Sequence, residues 1–274
     1  MRKVISYAVN RIVSIALGMV LIFPLIYAFL GAFRSAEEFA QYPPHLLPES
    51  FANLENFRRI LTDVPMPRYM FNSLLTGLLT GVVKVSLSAM AAYAFTFFDF
   101  RGRKVLFWLI LASMMLPADT LTITNYRTVS RLGLTDSYLG ICVTSFVGAS
   151  QVLLLRQQFK SLPRELKDAA LIDGCGDGAF LVIVVLPMSR GILLTLFLQS
   201  FIAQWNSYLW PLLVTSRDSM RTVQVGISML TDAEATNYET VLAGACVALV
   251  PSLILFFLSR AKITGTVTAG AVVE

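Results

Sequence analysis

Few residues of this chain have types and spacings that could do chemistry. Those that do point to binding, not to bond breaking. The single histidine, His45, stands in a proline-rich stretch and reads as a surface residue. No nucleophile–histidine pair and no His-Glu-x-x-His zinc site can therefore be assembled. No lysine directly follows a glycine, so a phosphate cradle ending in Gly-Lys-Ser/Thr is missing. Cys142, Cys175 and Cys246 lie far apart, without metal-ligand spacing and without the look of a disulfide framework. Two groups remain. Asp168, Ala169, Ala170, Asp173 and Gly174, with Pro187 further on, describe a short helix with a glycine stop, suited to docking into a groove on a partner. Lys84, Asn125, Gln204, Trp205 and Asn206 are polar residues in apolar surroundings. Amides and an indole suit a hydroxyl-rich solute through hydrogen bonds and stacking on sugar faces, and a cation suits an anionic one. The alternatives are interhelical packing and an interfacial aromatic anchor for the amide–indole cluster, and an ion pair or capped helix carbonyls for Lys84.

The elements that must position these residues follow from composition. Of 274 residues, 56% are hydrophobic and 14% charged, against about 25% charged in soluble domains. A soluble protein this apolar would expose large adhesive patches, whereas lipid tails solvate such side chains. The net charge of +5 does not indicate nucleic acid, because the basic residues gather at the ends of apolar runs, where headgroups lie.

Six apolar runs, at about 12–33, 69–98, 105–125, 138–155, 186–214 and 238–259, are near or above the ~20 residues that cross a bilayer. The first exceeds a signal-peptide core and lacks a cleavage site, so it reads as an uncleaved helix, kinked at Pro24. Residues 34–68 form an outer loop in which Pro43, Pro44, Pro48, Pro65 and Pro67 block a long helix. Phe51, Leu54, Phe57 and Leu61 in it are spaced as one amphipathic turn or two. With the N-terminus inside, thirteen Lys and Arg fall in inner segments and eight in outer loops, which favours both termini inside. The remaining one is Lys84, about 15 residues into its span and so roughly 22 Å deep. Burying it costs at least ~2.5 kcal/mol, so it should face protein or a watery cavity.

The loop between the fourth and fifth spans carries the most information. Leu162-Pro163 can start a helix at Arg164. Glu165, Lys167 and Asp168 supply its polar face, and Leu166, Ala169, Ala170 and Ile172 its apolar one. Gly174 allows a sharp stop, and a second helical piece leads through Phe180 to Pro187.

This loop resembles the EAA motif of ABC-importer permeases, in which Glu-Ala-Ala is followed after three residues by Gly and later by Leu-Pro. The matching residues are Asp168, Ala169, Ala170, Asp173, Gly174, Leu186 and Pro187. Asp168 stands where Glu is usual, Cys175 where Ala is usual, and Gly176-Asp177-Gly178 where Ser-Pro is common. Met115-Leu-Pro117, Gly133-Leu-Thr-Asp-Ser-Tyr138, the stretch from Trp205 to Leu212 and Thr268-Ala-Gly-Ala-Val272 resemble the carbohydrate-uptake branch, particularly the second permease of maltose and glycerol-3-phosphate importers. The resemblance implies an all-α membrane protein of the type I importer fold, with six transmembrane helices and a cytoplasmic coupling helix. It divides as 1–68 (first helix and external loop), 69–260 (five-helix core with the coupling loop at about 159–187) and 261–274 (cytoplasmic tail). It also implies a second homologous permease, two ATPase subunits holding ATP and Mg, and an external solute-binding protein as partners, with no cofactor in this chain. The competing class is a self-sufficient channel or secondary transporter. Such transporters show internal repeats and buried charge relays, and neither stands out here.

Overall fold

Inside a bilayer only helices and closed barrels satisfy every backbone N–H and C=O, and the apolar runs of this chain fold as helices. The computed structural model describes residues 2–42, 45–163, 165–231 and 237–270, without a strand among them. In chain order the helices are α1 (Arg2–Gly31), α2 (Ala36–Ala40), α3 (Glu55–Thr62), α4 (Met66–Phe97), α5 (Arg103–Ser113), α6 (Thr122–Arg131), α7 (Tyr138–Cys142) and α8 (Ala149–Lys160). They continue with α9 (Glu165–Ile172), α10 (Asp177–Phe180), α11 (Leu186–Met188), α12 (Arg190–Trp205), α13 (Leu209–Val214), α14 (Val223–Thr231) and α15 (Tyr238–Gly270).

Three helical stretches among the described residues are long and apolar enough to cross a membrane: Asn10–Gly31, Met66–Phe97 and Tyr238–Leu255. Two bent pairs, Tyr138–Ser145 with Ala149–Lys160 at 56° and Asp177–Met188 with Arg190–Trp205 at 82°, make five if each pair is one span. The expected span at 105–125 is not one helix. α5 stops at Ser113, three turn-type bonds carry the chain through Leu116, and α6 starts at Thr122. Pro117 accounts for the break: it has no N–H to donate and pushes the residue before it out of the helical region. The expected span at 186–214 is likewise divided, with turns at Ser189 and Asn206. α1, by contrast, runs unbroken through Pro24.

The chain forms two compact units. The first comprises Met1–Pro67 and Val225–Pro251. The loop after α1 is held by a buried polar network. Arg34, 2% exposed, donates to the Glu38 carbonyl at 2.6 Å and stacks on Phe39. Asn56 Nδ2 donates to the carbonyls of Ala32 and Arg34 at 3.0 and 2.8 Å. These bonds decide which face of α3 turns inward. Asn56 and Ile60 are buried, while Phe51, Leu54 and Leu61 of the expected apolar stripe are exposed.

The second unit comprises Arg68–Gln224 and Ser252–Glu274. One core cluster joins α4, α8, α10 and α12 through Ala92, Tyr93, Leu155, Phe159, Phe180 and Leu196. Another joins α6, α7 and α13 through Val129, Ile141, Cys142 and Val214. α4 and α12 approach closely: β-carbons at Gly77 and Gly81 would lie 2.8 and 2.7 Å from the rings of Phe201 and Phe197. Small residues play this role at membrane helix contacts generally. The last helix continues to Gly270, so most of the expected tail at 261–274 is helical; residues 271–274 lie outside the described residues.

Candidate functional site

The loop between α8 and α12 is built from its helix ends. Arg164 lies outside the described residues, and α9 is described from Glu165, with Glu165 and Asp168 in its first turn where acidic groups favour the helix dipole. Its end is a Schellman turn. Cys175 N–H donates to the Ala170 carbonyl at 2.8 Å and Gly174 N–H to that of Leu171 at 3.1 Å, with Gly174 at φ +73°. A β-carbon at Gly174 would meet nothing within 4 Å, so the glycine is required by backbone conformation and not by space.

The packed face of α9 is Leu166 and Ala170, continued by Leu162 and Cys175, against the cluster around Phe159 and Phe180. Ala169 is exposed, and Leu171 and Ile172 are 74% and 86% exposed. Of the four residues assigned to the apolar face from sequence, two therefore point outward, beside the exposed Asp168, Asp173 and Gly174. The inward stripe is 162, 166 and 170, an i, i+4, i+8 spacing selected by the cluster it meets.

Lys167 and Tyr93 tie this loop to α4, and sequence reading missed that role for both. Lys167 Nζ donates to the Phe97 carbonyl at 3.0 Å, lies 3.4 Å from Asp177 Oδ1, and faces the Phe97 and Phe98 rings. Tyr93 donates its hydroxyl to the Asp177 carbonyl at 2.8 Å. Phe97 ends α4, so the ammonium supplies a partner at the negative end of that helix. Beyond α10 the backbone widens into a π turn at Leu181–Val185, closed by Leu186 N–H to the Leu181 carbonyl, immediately before Pro187. The chain then turns at Ser189, which is 1% exposed with its hydroxyl unpaired among the described residues.

The candidate pathway residues do not meet in one place. Lys84 is half-buried on α4, with its stem against Gly148 at the start of α8. Asn125 is half-buried on α6. On α12 Gln204 is buried with Nε2 unpaired among the described residues. Trp205 is 1% exposed and stacks on Phe201 at 5.9 Å, in the manner of a packing residue. Asn206 is exposed and accepts from Gln224 Nε2 at 3.4 Å.

At the other end of the second unit a polar clasp closes the loops. Asn72, fully buried, donates to the Ser219 and Arg221 carbonyls at 2.9 and 2.8 Å and accepts from Tyr138 at 2.9 Å. Asp136, at φ +53°, accepts the N–H groups of Ser216 and Arg217 at 2.7 and 2.9 Å. These backbone donors, Arg217 first, hold its carboxyl below the ordinary value of 3.8. Among the described residues no group of three His, Cys, Asp or Glu could hold a metal ion.

Comparison with known proteins places this arrangement. The family described as binding-protein-dependent transport system inner membrane component matches residues 84–262. The sn-glycerol-3-phosphate transport system permease protein of Brucella melitensis is 31% identical over 269 residues, covering 94% of this chain and 95% of that one. Among solved structures, a bacterial ABC transporter involved in the import of the acidic polysaccharide alginate matches in fold with a TM-score of 0.84 at 23% identity. It covers 94% of this chain and 96% of the other. A second structure, bacterial alginate ABC transporter in complex with alginate pentasaccharide-bound periplasmic protein, gives 0.67 at 16% identity, with 96% of each chain covered.

Proposed function

The chain belongs to the family of binding-protein-dependent transport system inner membrane components, and from that premise we propose that it is a permease subunit of an ATP-driven importer for a sugar, oligosaccharide or glycerol-3-phosphate. It works with a second, homologous permease, two ATPase subunits that bind ATP and Mg, and an external solute-binding protein. Six spans carry it through the bacterial inner membrane, with both termini cytoplasmic, the third span being the divided stretch from α5 to Asn125. α9 is the coupling helix: Asp168, Ala169, Ala170, Asp173, Gly174 and Pro187 shape and orient it. ATP binding on the partner subunits moves α9, the motion passes into the core helices, and the cavity opens outward to take solute from the binding protein. Hydrolysis returns it inward. Lys84, Asn125, Gln204 and Asn206 line the path, with Trp205 behind the amides.

The observation that carries this reading is the outward face of α9. Leu171 and Ile172 project from a helix already anchored on its other side, and two large exposed apolar residues at a helix end suit a groove on a partner. Reconstitution of the complex with its ATPase and binding protein tests it. ATP-dependent uptake is expected, with Ile172→Asp abolishing both uptake and ATPase stimulation while the subunit still inserts. A purified subunit that transports without any ATPase would establish the secondary-transporter reading instead.

A further inference from the structure

Lys84 is a cation near the middle of α4, with about 27 Å of helix on one side of it and about 20 Å on the other. Among the described residues nothing pairs with its ammonium: no salt bridge and no hydrogen bond engages it. Its stem is nevertheless seated, because a β-carbon at Gly148 would lie 2.6 Å from Lys84 Cε. A side chain at Gly148 would displace this flexible end of the lysine. Gly148 is the N-cap of α8, in extended conformation (φ −145°, ψ 103°) and without a side-chain cap. The cation thus rests where the fourth span is broken, beside the positive end of a twelve-residue helix. Two positive poles side by side repel each other, and an anion placed at both relieves this.

A third group lies at the same point. Gln151, in the first turn of α8, is 3% exposed, and its Cγ is 3.5 Å from that same β-carbon position. Its Nε2 is committed to Ser200 Oγ at 2.5 Å and the Leu196 carbonyl at 3.4 Å, while its Oε1 has no partner among the described residues. A buried unpaired acceptor costs about 1–3 kcal/mol and is satisfied by a hydroxyl donor. Val147 and Ser150 beside the break are exposed, whereas Gln151 Oε1 is enclosed and is reached only when the break widens.

We propose that Lys84, the uncapped start of α8 and the Gln151 amide oxygen form a transit site for an anionic polyhydroxylated solute, the anion lying between ammonium and helix end and a hydroxyl donating to Gln151. The proposal rests on the importer reading for its solute flux, and its test is chosen to stand apart from that reading. In the assembled complex, with Cys142, Cys175 and Cys246 replaced by serine, Ser150→Cys is modified by a sulfonate-bearing and by a trimethylammonium-bearing thiosulfonate. Each rate is divided by that reagent's rate with a small free thiol. The corrected rates should favour the anion about tenfold or more, and Lys84→Met should bring the ratio near one while Lys84→Arg retains it. A ratio at or below one with Lys84 present, an unchanged ratio in Lys84→Met, or a thiol that neither reagent reaches would overturn the site. Failure of ATP-driven uptake would count against the importer reading and leave this ratio readable.

Discussion

Gly174 and Asp136 both hold a positive φ; at Gly174 the backbone alone limits replacement, whereas the Asp136 carboxylate also accepts two backbone N–H bonds. At Gly174 the left-handed conformation costs an L-residue about 1–2 kcal/mol, more for a β-branched one, while the space around it is empty. Gly174→Val should leave insertion intact, misdirect the end of α9 and abolish uptake. Asp168→Lys should reduce uptake less severely; reversing one charge in an exposed first turn costs only about 0.3–1 kcal/mol locally. Its loss of function would therefore lie at the partner contact. Normal transport and normal ATPase stimulation in both variants would remove the coupling role. Asp136 carries a pH prediction. Its folded pKa is depressed, so its stabilisation of the 216–217 loop is present above the ordinary value of 3.8 and is lost as pH falls below it through the folded value. Protection of the Ser216 and Arg217 amides, measured against their intrinsic exchange rate at each pH, should fall in that acidic window, and Asp136→Asn, which tolerates positive φ, should remove the dependence.

At the scale of elements, α9 connects to the membrane core through two routes. One is apolar packing of Leu166 and Ala170; the other is Lys167 bonded to the end of α4. Lys167 is about a third exposed, so its bond to the Phe97 carbonyl contributes about 1 kcal/mol at most. That is too little to hold the fold but enough to bias a two-state motion by about fivefold. Lys167→Met is expected to raise the ATP hydrolysed per solute imported by up to about fivefold, with Lys167→Arg closer to the parent. An unchanged ratio would assign the stroke to the apolar route alone. The π turn and the bend at Ser189 follow directly along the chain, and irregular helix of this kind recurs at functional hinges.

For the whole molecule, the assembly depends on surfaces that this chain does not bury by itself. Over residues 12–30 α1 presents apolar side chains on all its faces, as a helix does that meets lipid or another chain. The C-terminal helix reaches Gly270, and on the proposed importer reading the stretch 268–272, which resembles tails of this family, is a contact for the ATPase subunits. Deleting residues 264–274 should weaken recovery of the ATPase in a pull-down while membrane insertion persists. Undiminished recovery would count against a docking tail.

The sequence by itself determined the membrane class, because a 56% hydrophobic chain has few other solvents. It also determined the family, and the glycine stop of α9, since a Schellman turn is written in local residues. Tertiary structure alone decided which face of α9 packs: Ala169 and Ala170 are identical in type, and only the cluster around Phe159 and Phe180 selects one of them. It likewise turned the fifth expected span at Ser189 and placed the Lys167 ammonium at the end of a helix seventy residues away, whereas the break of the third at Pro117 is local in origin. Hydropathy counts apolar length, whereas these outcomes depend on backbone hydrogen bonds and on partners distant in sequence. The seat of Lys84 is of the same kind. Its charge and depth were legible from position 84, but the absent side chain at Gly148 that receives it lies on another helix.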